Sequence, residues 1–355
     1  MKVGISLNYA RHDFTYAALK TAEVLENLGY DVTIYNRLEP TTRIALHDYW
    51  DEFVKSSKQV SFETWSASVD RLIFFSYSDA QEIKAIKKRG TPVTCVATWD
   101  SVDADIVSSL KQGTTVVTPS AQQAKYFQSY WRLKNVVHIP WDCNWAFSQI
   151  DRTDSEPLKV LVACPGFQIK RVDVTKLYET LIAVLDDNPG IKITFLFSNK
   201  VAKLSKNQLK ALTVAKENGS SIIAIDDPTG WFETPLIYGE HDITVYPGQI
   251  ESFGSVVLES LTMGTPVVCY DFPPMNEIVS NSINGFLLEC GSSSTDLGVS
   301  YALHSDSSIR KTLSFVFNNK SILNKMRAST SVGLEARRKQ FSALWAEVID
   351  AQLSK

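Results

Sequence analysis

An α/β protein with two open, doubly wound parallel sheets in tandem is expected from three features of the chain. Its 355 residues exceed what one hydrophobic core usually serves, which favours two domains of roughly 150 to 200 residues each. Short apolar runs alternate with stretches whose apolar residues recur every three or four positions, over 2–140 and again over 158–289. Between these two series, 147–157 is polar and aperiodic, a linker by composition. The expected domains are therefore 1–150 and 151–330, followed by a last helix within 331–355.

The elements follow in order. Residues 2–8 form a short apolar run, after which Phe14, Ala18, Ala22, Leu25 and Leu28 keep helical spacing until Gly29. Residues 31–35 read as the next strand, which completes a βαβ unit and implies parallel pairing. The alternation returns with a strand at 72–76, a charged helix ending at Lys87-Lys88-Arg89-Gly90, a strand at 93–98 and a helix near 103–111. A strand at 115–118, a helix over 119–131 and a strand at 136–139 close the series before Pro140. In the second series, strands are expected at 158–163, 191–197, 222–225, 243–246, 266–270 and 286–289, with helices at 173–186 and 205–217. The last helix carries Phe341, Leu344, Trp345, Val348, Ile349 and Leu353 on one face, which needs an apolar partner surface; the first domain is the expected one. Open α/β sheets bind ligands beyond the carboxyl ends of their strands, so a cleft between the two sheets is the expected site.

Composition narrows the function. With 36 Lys and Arg against 39 Asp and Glu, the net charge of -3 does not favour a polyanionic partner. The five cysteines, at 95, 143, 164, 269 and 290, include no close pair, so neither a disulfide framework nor a zinc knuckle fits. No run of about 18 apolar residues is present, and 2–8 is too short for a signal peptide; a cytoplasmic location is expected, with peripheral membrane association left open.

Chemistry concentrates between Tyr246 and Pro266. A strand ends at Tyr246, a glycine-containing loop carries Glu251, and a helix follows from Ser255 to a glycine stop at Gly264. Glu259 lies about one turn down that helix from its first amides. The amides near Gly254, Ser255 and Val256, together with the helix dipole, make an anion site that would hold a diphosphate without a metal. A carboxylate beside such a site needs hydrogen-bond donors, and vicinal sugar hydroxyls supply them, which points to a ligand that combines phosphate and polyol. The competing reading is that Glu251 caps the helix and Glu259 is a surface residue.

This segment resembles the donor site of retaining glycosyltransferases of the GT-B class, family 4. Glu251 and Glu259 are separated by seven residues around Phe253-Gly254, and Gly264-Thr265-Pro266-Val267, Asn276-Glu277-Ile278-Val279 and Asn284-Gly285-Phe286-Leu287 follow in that family's order. Thr118-Pro119-Ser120 and 136–140 with Asp142 resemble the end of its first domain; Pro165-Gly166 with Lys170 resembles its second-domain phosphate loop. The resemblance implies two Rossmann-like domains facing an interdomain cleft. It implies that Glu259 bonds ribose hydroxyls, that Glu251 touches the transferred sugar, and that Lys170, with Arg171, Gly166 and the amides of Gly254, Ser255 and Val256, holds the departing diphosphate. It implies a nucleoside diphosphate sugar as donor, a UDP-sugar foremost, with no cofactor or metal required. A solvated loop lysine is the alternative for Lys170, and the family more often has glycine where Arg171 stands.

The chain departs from the family in its first half. The loop after the first strand reads Asn8-Tyr9-Ala10-Arg11-His12-Asp13 in place of a glycine-rich turn, which makes Asn8, Arg11 and His12 acceptor-side candidates. Where the family often has a histidine the chain has Thr98-Trp99-Asp100, so Asp100 is either a sugar-contacting group or a helix cap. Trp99 and Trp141, each following a strand, either stack on an acceptor or fill the core. Asp103-Ala104-Asp105 is read as a helix start, where the dipole favours acids, rather than as a metal site. The expected function is a retaining, metal-independent transferase acting on a glycan, a lipid-linked sugar or a DNA base. A nucleotide-sugar epimerase of the same architecture and a binding protein without turnover are the rivals.

Overall fold

A computed structural model describes residues 1–7, 12–37, 54–56, 60–75, 80–99, 102–142, 157–164, 174–188, 190–198, 221–225 and 234–351. The chain divides into two compact units, 1–142 with 336–355, and 143–335. The expected linker 147–157 and helix 205–217 lie, apart from residue 157, outside the described residues.

The first unit is built on a seven-stranded, all-parallel sheet in the order β3-β2-β1-β4-β5-β6-β7. Its strands are β1 Lys2–Leu7, β2 Asp31–Asn36, β3 Val54–Ser56, β4 Arg71–Phe75, β5 Val93–Val96, β6 Thr115–Thr118 and β7 Val136–His138. The central strands β1 and β4 are apolar along nearly their whole length because both faces are covered: Val3, Ile5, Leu7 and Leu72 to Phe75 are all buried. Two helices start one or two residues later than their sequence pattern suggests. Asp103 and Ser120 are extended residues whose side chains accept from the amides of Ile106 and Gln123, so each is a cap and its helix begins after it, at Ala104 and Ala121.

The second unit carries a six-stranded parallel sheet in the order β10-β9-β8-β11-β12-β13. Its strands are β8 Leu158–Cys164, β9 Ile191–Ser198, β10 Ser221–Ile225, β11 Ile243–Tyr246, β12 Val267–Tyr270 and β13 Gly285–Leu288. A separate antiparallel hairpin, β14 Ser292–Ser294 and β15 Ser300–Ala302, follows β13. Val160 to Ala163, Val245 and Val267 to Tyr270 fill the core, again on strands buried on both faces.

The last helix is longer than expected. It runs unbroken from Ser321 to Asp350, so the anticipated boundary at 330/331 falls inside it, and the units divide five residues later, at 335/336. Gly333 does not interrupt it. In the second unit Arg327 pairs with Asp242 at 2.6 Å. In the first unit Phe341 meets Trp141 edge-on at 5.0 Å, Trp345 lies 6.4 Å from Phe75, and Tyr30 donates to Asp350 at 2.9 Å.

Candidate functional site

β11 delivers Tyr246 to its carboxyl end, and the chain then turns back through Pro247, Gly248 and Gln249 to Glu251. Gly248 is required because the backbone crosses the Tyr246 ring: a methyl group at 248 would lie 2.4 Å from the ring carbon Cζ and from the hydroxyl oxygen. The folded-back loop lets the Tyr246 hydroxyl donate to Glu251 Oε2. The other carboxylate oxygen, Oε1, accepts from the amides of Ser252 at 2.8 Å, Phe253 at 3.2 Å and Gly254 at 3.3 Å. Glu251 is only 2% exposed, so these donors replace the water a buried carboxylate would otherwise miss. All three amides precede the helix Ser255–Thr262, so Glu251 ties down its own loop and does not cap the helix's first turn.

The helix Ser255–Thr262 starts on Gly254, which sits at φ +72° with no side-chain cap. Leu258 N donates to Gly254 O at 2.9 Å, the first bond of the ladder, so the amides of Ser255, Val256 and Val257 form the first turn ahead of it. Glu251 takes the amides just before that turn. Glu259 is the one charged residue of this helix, and it is buried at 4% exposure, which removes its alternative as a surface residue. Buried hydroxyls tie this segment to its neighbours: Ser260 Oγ donates to Thr244 Oγ1 of β11 at 2.8 Å, and the Thr265 hydroxyl donates to Tyr238 O of the helix Thr234–Gly239 at 2.8 Å. At the far end Gly264, at φ +76°, turns the chain, with Thr265 N donating to Ser260 O at 2.9 Å.

The asparagines downstream shape turns. Asn284 Oδ1 accepts from Ser280 N at 2.8 Å, and Asn276 Nδ2 donates to Asp271 at 2.9 Å. Ile278 lies against the start of the helix, where a methyl group at Gly254 would come within 2.3 Å of its Cδ1. Gly166, Lys170 and Arg171 lie outside the described residues; they follow β8 in the sequence, and β8 is the sheet neighbour of β11.

In the first unit the structure corrects the two tryptophans. Trp99 and Trp141 are 2% and 1% exposed; Trp99 packs edge-on against Tyr126, and Trp141 against Phe75 and Phe341. Neither ring presents a face for an acceptor to stack on, and the core-filling alternative describes both. Asn8, Arg11 and Asp100 lie outside the described residues, while His12 is the first residue of the helix His12–Asn27. Asp103 caps its helix at 2.9 Å, and no group of three or more His, Cys, Asp or Glu among the described residues is placed to hold a metal ion. No helix among them is long and apolar enough to cross a membrane. Sequence reasoning missed Tyr246 and Gly248; a tyrosine closing a strand five residues before a glutamate, with glycine between, was the available signal.

Comparison with known proteins gives this geometry a context. Residues 167–310, which include both acids and their helix, match the family model described as Glycosyl transferases group 1. A stretch of 70 residues is 36% identical to D-inositol 3-phosphate glycosyltransferase of Streptosporangium roseum, covering 20% of this chain and only 16% of that protein. Among solved structures, a glycosyltransferase from Rickettsia africae matches with a TM-score of 0.70 at 12% identity, over 98% of each chain. The pneumococcal O-GlcNAc transferase GtfA, solved with UDP and GlcNAc, matches at 0.71 and 11% identity, over 100% of this chain and 99% of its own. Anabaena Alr3699/HepE, solved with UDP, matches at 0.70 and 11% identity over the whole of both chains. At such identities the likeness is one of fold: two Rossmann-like, parallel-sheet units of the GT-B type.

Proposed function

We propose that the protein is a glycosyltransferase that moves a sugar from a nucleoside diphosphate sugar, a UDP-sugar foremost, to an acceptor hydroxyl, with retention of configuration and without a metal. The observation that carries the proposal is the pair of buried acids on one helix start at the carboxyl end of β11, inside the segment matched by the family model. Glu259 would accept from the ribose hydroxyls, and Glu251 from hydroxyls of the sugar being transferred. The first-turn amides of Ser255 and Val256, with Gly254 as the turn that aims them, would hold the diphosphate. Lys170, Arg171 and Gly166, from the segment after β8, would complete the phosphate cradle.

In this reading the bond between the anomeric carbon and the diphosphate oxygen breaks while the acceptor oxygen bonds to the same carbon on the same face. The acceptor proton passes to an oxygen of the leaving phosphate, so no protein base is needed. Negative charge grows on the diphosphate as that bond breaks, and donors already fixed around it lower the barrier; a lysine in that role is worth about 3 kcal/mol. Asp100, Asn8, Arg11 and His12 are the proposed acceptor-side groups. The acceptor is a glycan, a lipid-linked sugar or a DNA base.

A panel of UDP- and GDP-sugars screened by thermal shift tests the donor: a ligand at 100 times its dissociation constant should stabilise by about 2.7 kcal/mol. Glu259→Ala should weaken nucleotide binding by about 1 to 3 kcal/mol. Unchanged calorimetric affinity would remove the ribose assignment. Glu251→Gln should abolish slow hydrolysis of the donor, whereas appearance of an epimer of the donor sugar would favour the epimerase instead.

A further inference from the structure

The Glu251 loop is held from outside as well as from within. Gln249, half-buried and two residues before the acid, makes two hydrogen bonds to a single residue, Ala302. The Ala302 amide donates to the Gln249 carbonyl at 2.9 Å, and Gln249 Nε2 donates to the Ala302 carbonyl at 2.9 Å. Such a two-point contact fixes both the place and the rotation of a residue, since neither can change without breaking a bond. Ala302 is fully buried and ends β15, so the partner is the hairpin β14–β15, which belongs to neither parallel sheet.

The hairpin is anchored just beyond Ala302. Leu303 N donates to Gly291 O at 2.8 Å, closing the hairpin's base. His304 Nδ1 lies 2.7 Å from the hydroxyl of Tyr270, the last residue of β12, and its Nε2 lies 2.5 Å from Asp306, which accepts from Thr180 at 2.8 Å. β12 is the sheet neighbour of β11, so the brace on Gln249 is referred back to the same sheet that delivers Tyr246 and Glu251. Four residues, 247–250, separate Tyr246 from Glu251. The ends of that tetrapeptide are tied by the bond between Tyr246 and Glu251, and its third residue by the hairpin.

We propose that Gln249 is a positioning residue for the donor site, and that the β14–β15 hairpin acts through it to hold the Glu251 carboxylate in register with the helix start. The proposal rests on the donor-site reading of Glu251. Gln249 touches no substrate in it; its side-chain amide sets where the acid stands.

The test uses the full chain and four probes: UDP-glucose, UDP-N-acetylglucosamine, UDP-galactose and GDP-mannose, scored by release of nucleoside diphosphate. Gln249→Met keeps the length of the side chain and removes its donor; Gln249→Glu places an acceptor against the Ala302 carbonyl. On the best of the four donors, Gln249→Met should lower kcat about three- to tenfold, the effect of one lost hydrogen bond, and Gln249→Glu should lower it further. Calorimetric affinity for UDP should stay within about twofold and the melting midpoint within about 4 °C, because the residue steadies the sugar-contacting acid and not the nucleotide. A lower melting midpoint with unaltered turnover per folded molecule would mark a merely structural contact and overturn the proposal. Wild-type turnover in Gln249→Met beside an inactive Glu251→Gln would overturn the brace and leave the donor reading standing. Full activity in Glu251→Gln, or no release from any of the four probes by the unmodified protein, would overturn the donor reading and the brace with it.

Discussion

Replacing Gly254 by alanine would ask a residue at φ +72° to carry a methyl group 2.3 Å from Ile278 Cδ1. The left-handed conformation costs about 1 to 2 kcal/mol and the forced repacking about 1 to 3, so a loss of about 2 to 5 kcal/mol is expected in chemical denaturation. Tyr246→Phe is a gentler change. It leaves the ring that Gly248 accommodates and withdraws one donor from a buried carboxylate, which should cost about 1 to 3 kcal/mol. Two buried thiols offer a test at the same scale. Burial pushes Cys95 up to about 12 and Cys269 higher still, with Asp271 adding to the second, so both stay protonated at ordinary pH. At pH 8 the thiolate share of Cys95 is on the order of one in ten thousand. Site-resolved mass spectrometry after alkylation at that pH should find both unmodified in the native protein and both labelled in guanidinium.

Elements differ in how plainly the sequence announces them. Strands such as β1 and β4, buried on both faces, read as continuous apolar runs, and their alternation with amphipathic helices was enough to expect both sheets. The hairpin β14–β15 gave no such signal: Ser292–Ser294 is three serines, stabilised by backbone pairing rather than by burial of side chains, so periodicity cannot find it. β3, three residues long at the sheet edge, escaped for the related reason of brevity. At the candidate site, the two acids and the helix between glycines were legible from spacing, but the bonds from the loop amides to Glu251 were not. They depend on where backbone amides point, and a string of residue names does not carry that. For Trp99 and Trp141 the sequence left two readings open, since an aromatic residue after a strand looks the same whether it faces a ligand or a core, and burial selects the core. Asp103 yields an element-scale prediction. Asp103→Ala should cost about 1 kcal/mol through loss of the helix cap, whereas Asp103→Asn, which keeps an accepting oxygen, should change stability and turnover little. Loss of turnover in Asp103→Asn that excess magnesium restores would revive the metal reading.

At the scale of the whole molecule, the helix Ser321–Asp350 contributes residues to each of the two units. Its first half is tied to the second unit by the pair of Arg327 with Asp242, both largely buried, and its second half by Phe341 and Trp345 to the first. Ending the chain at Glu335 should therefore act on one unit only. Phe75 and Trp141 would lose the aromatic rings that cover them, worth about 2 to 3 kcal/mol for each ring no longer buried, along with the bond from Arg337 to the Trp141 carbonyl. Hydrogen exchange should rise throughout the first seven-stranded sheet and leave β8 to β13 protected; equal loss of protection in both would refute this division.

That helix also reverses the usual order of assembly on the ribosome, where the part of a chain made first is generally the part folded first. The seven strands of the first sheet emerge early, yet the rings that close over Trp141 and Phe75 arrive roughly 200 residues later. The second unit can finish while the first is still waiting for its cover, so the nascent protein passes through a stage in which its amino-terminal half presents an unfilled apolar seam to chaperones.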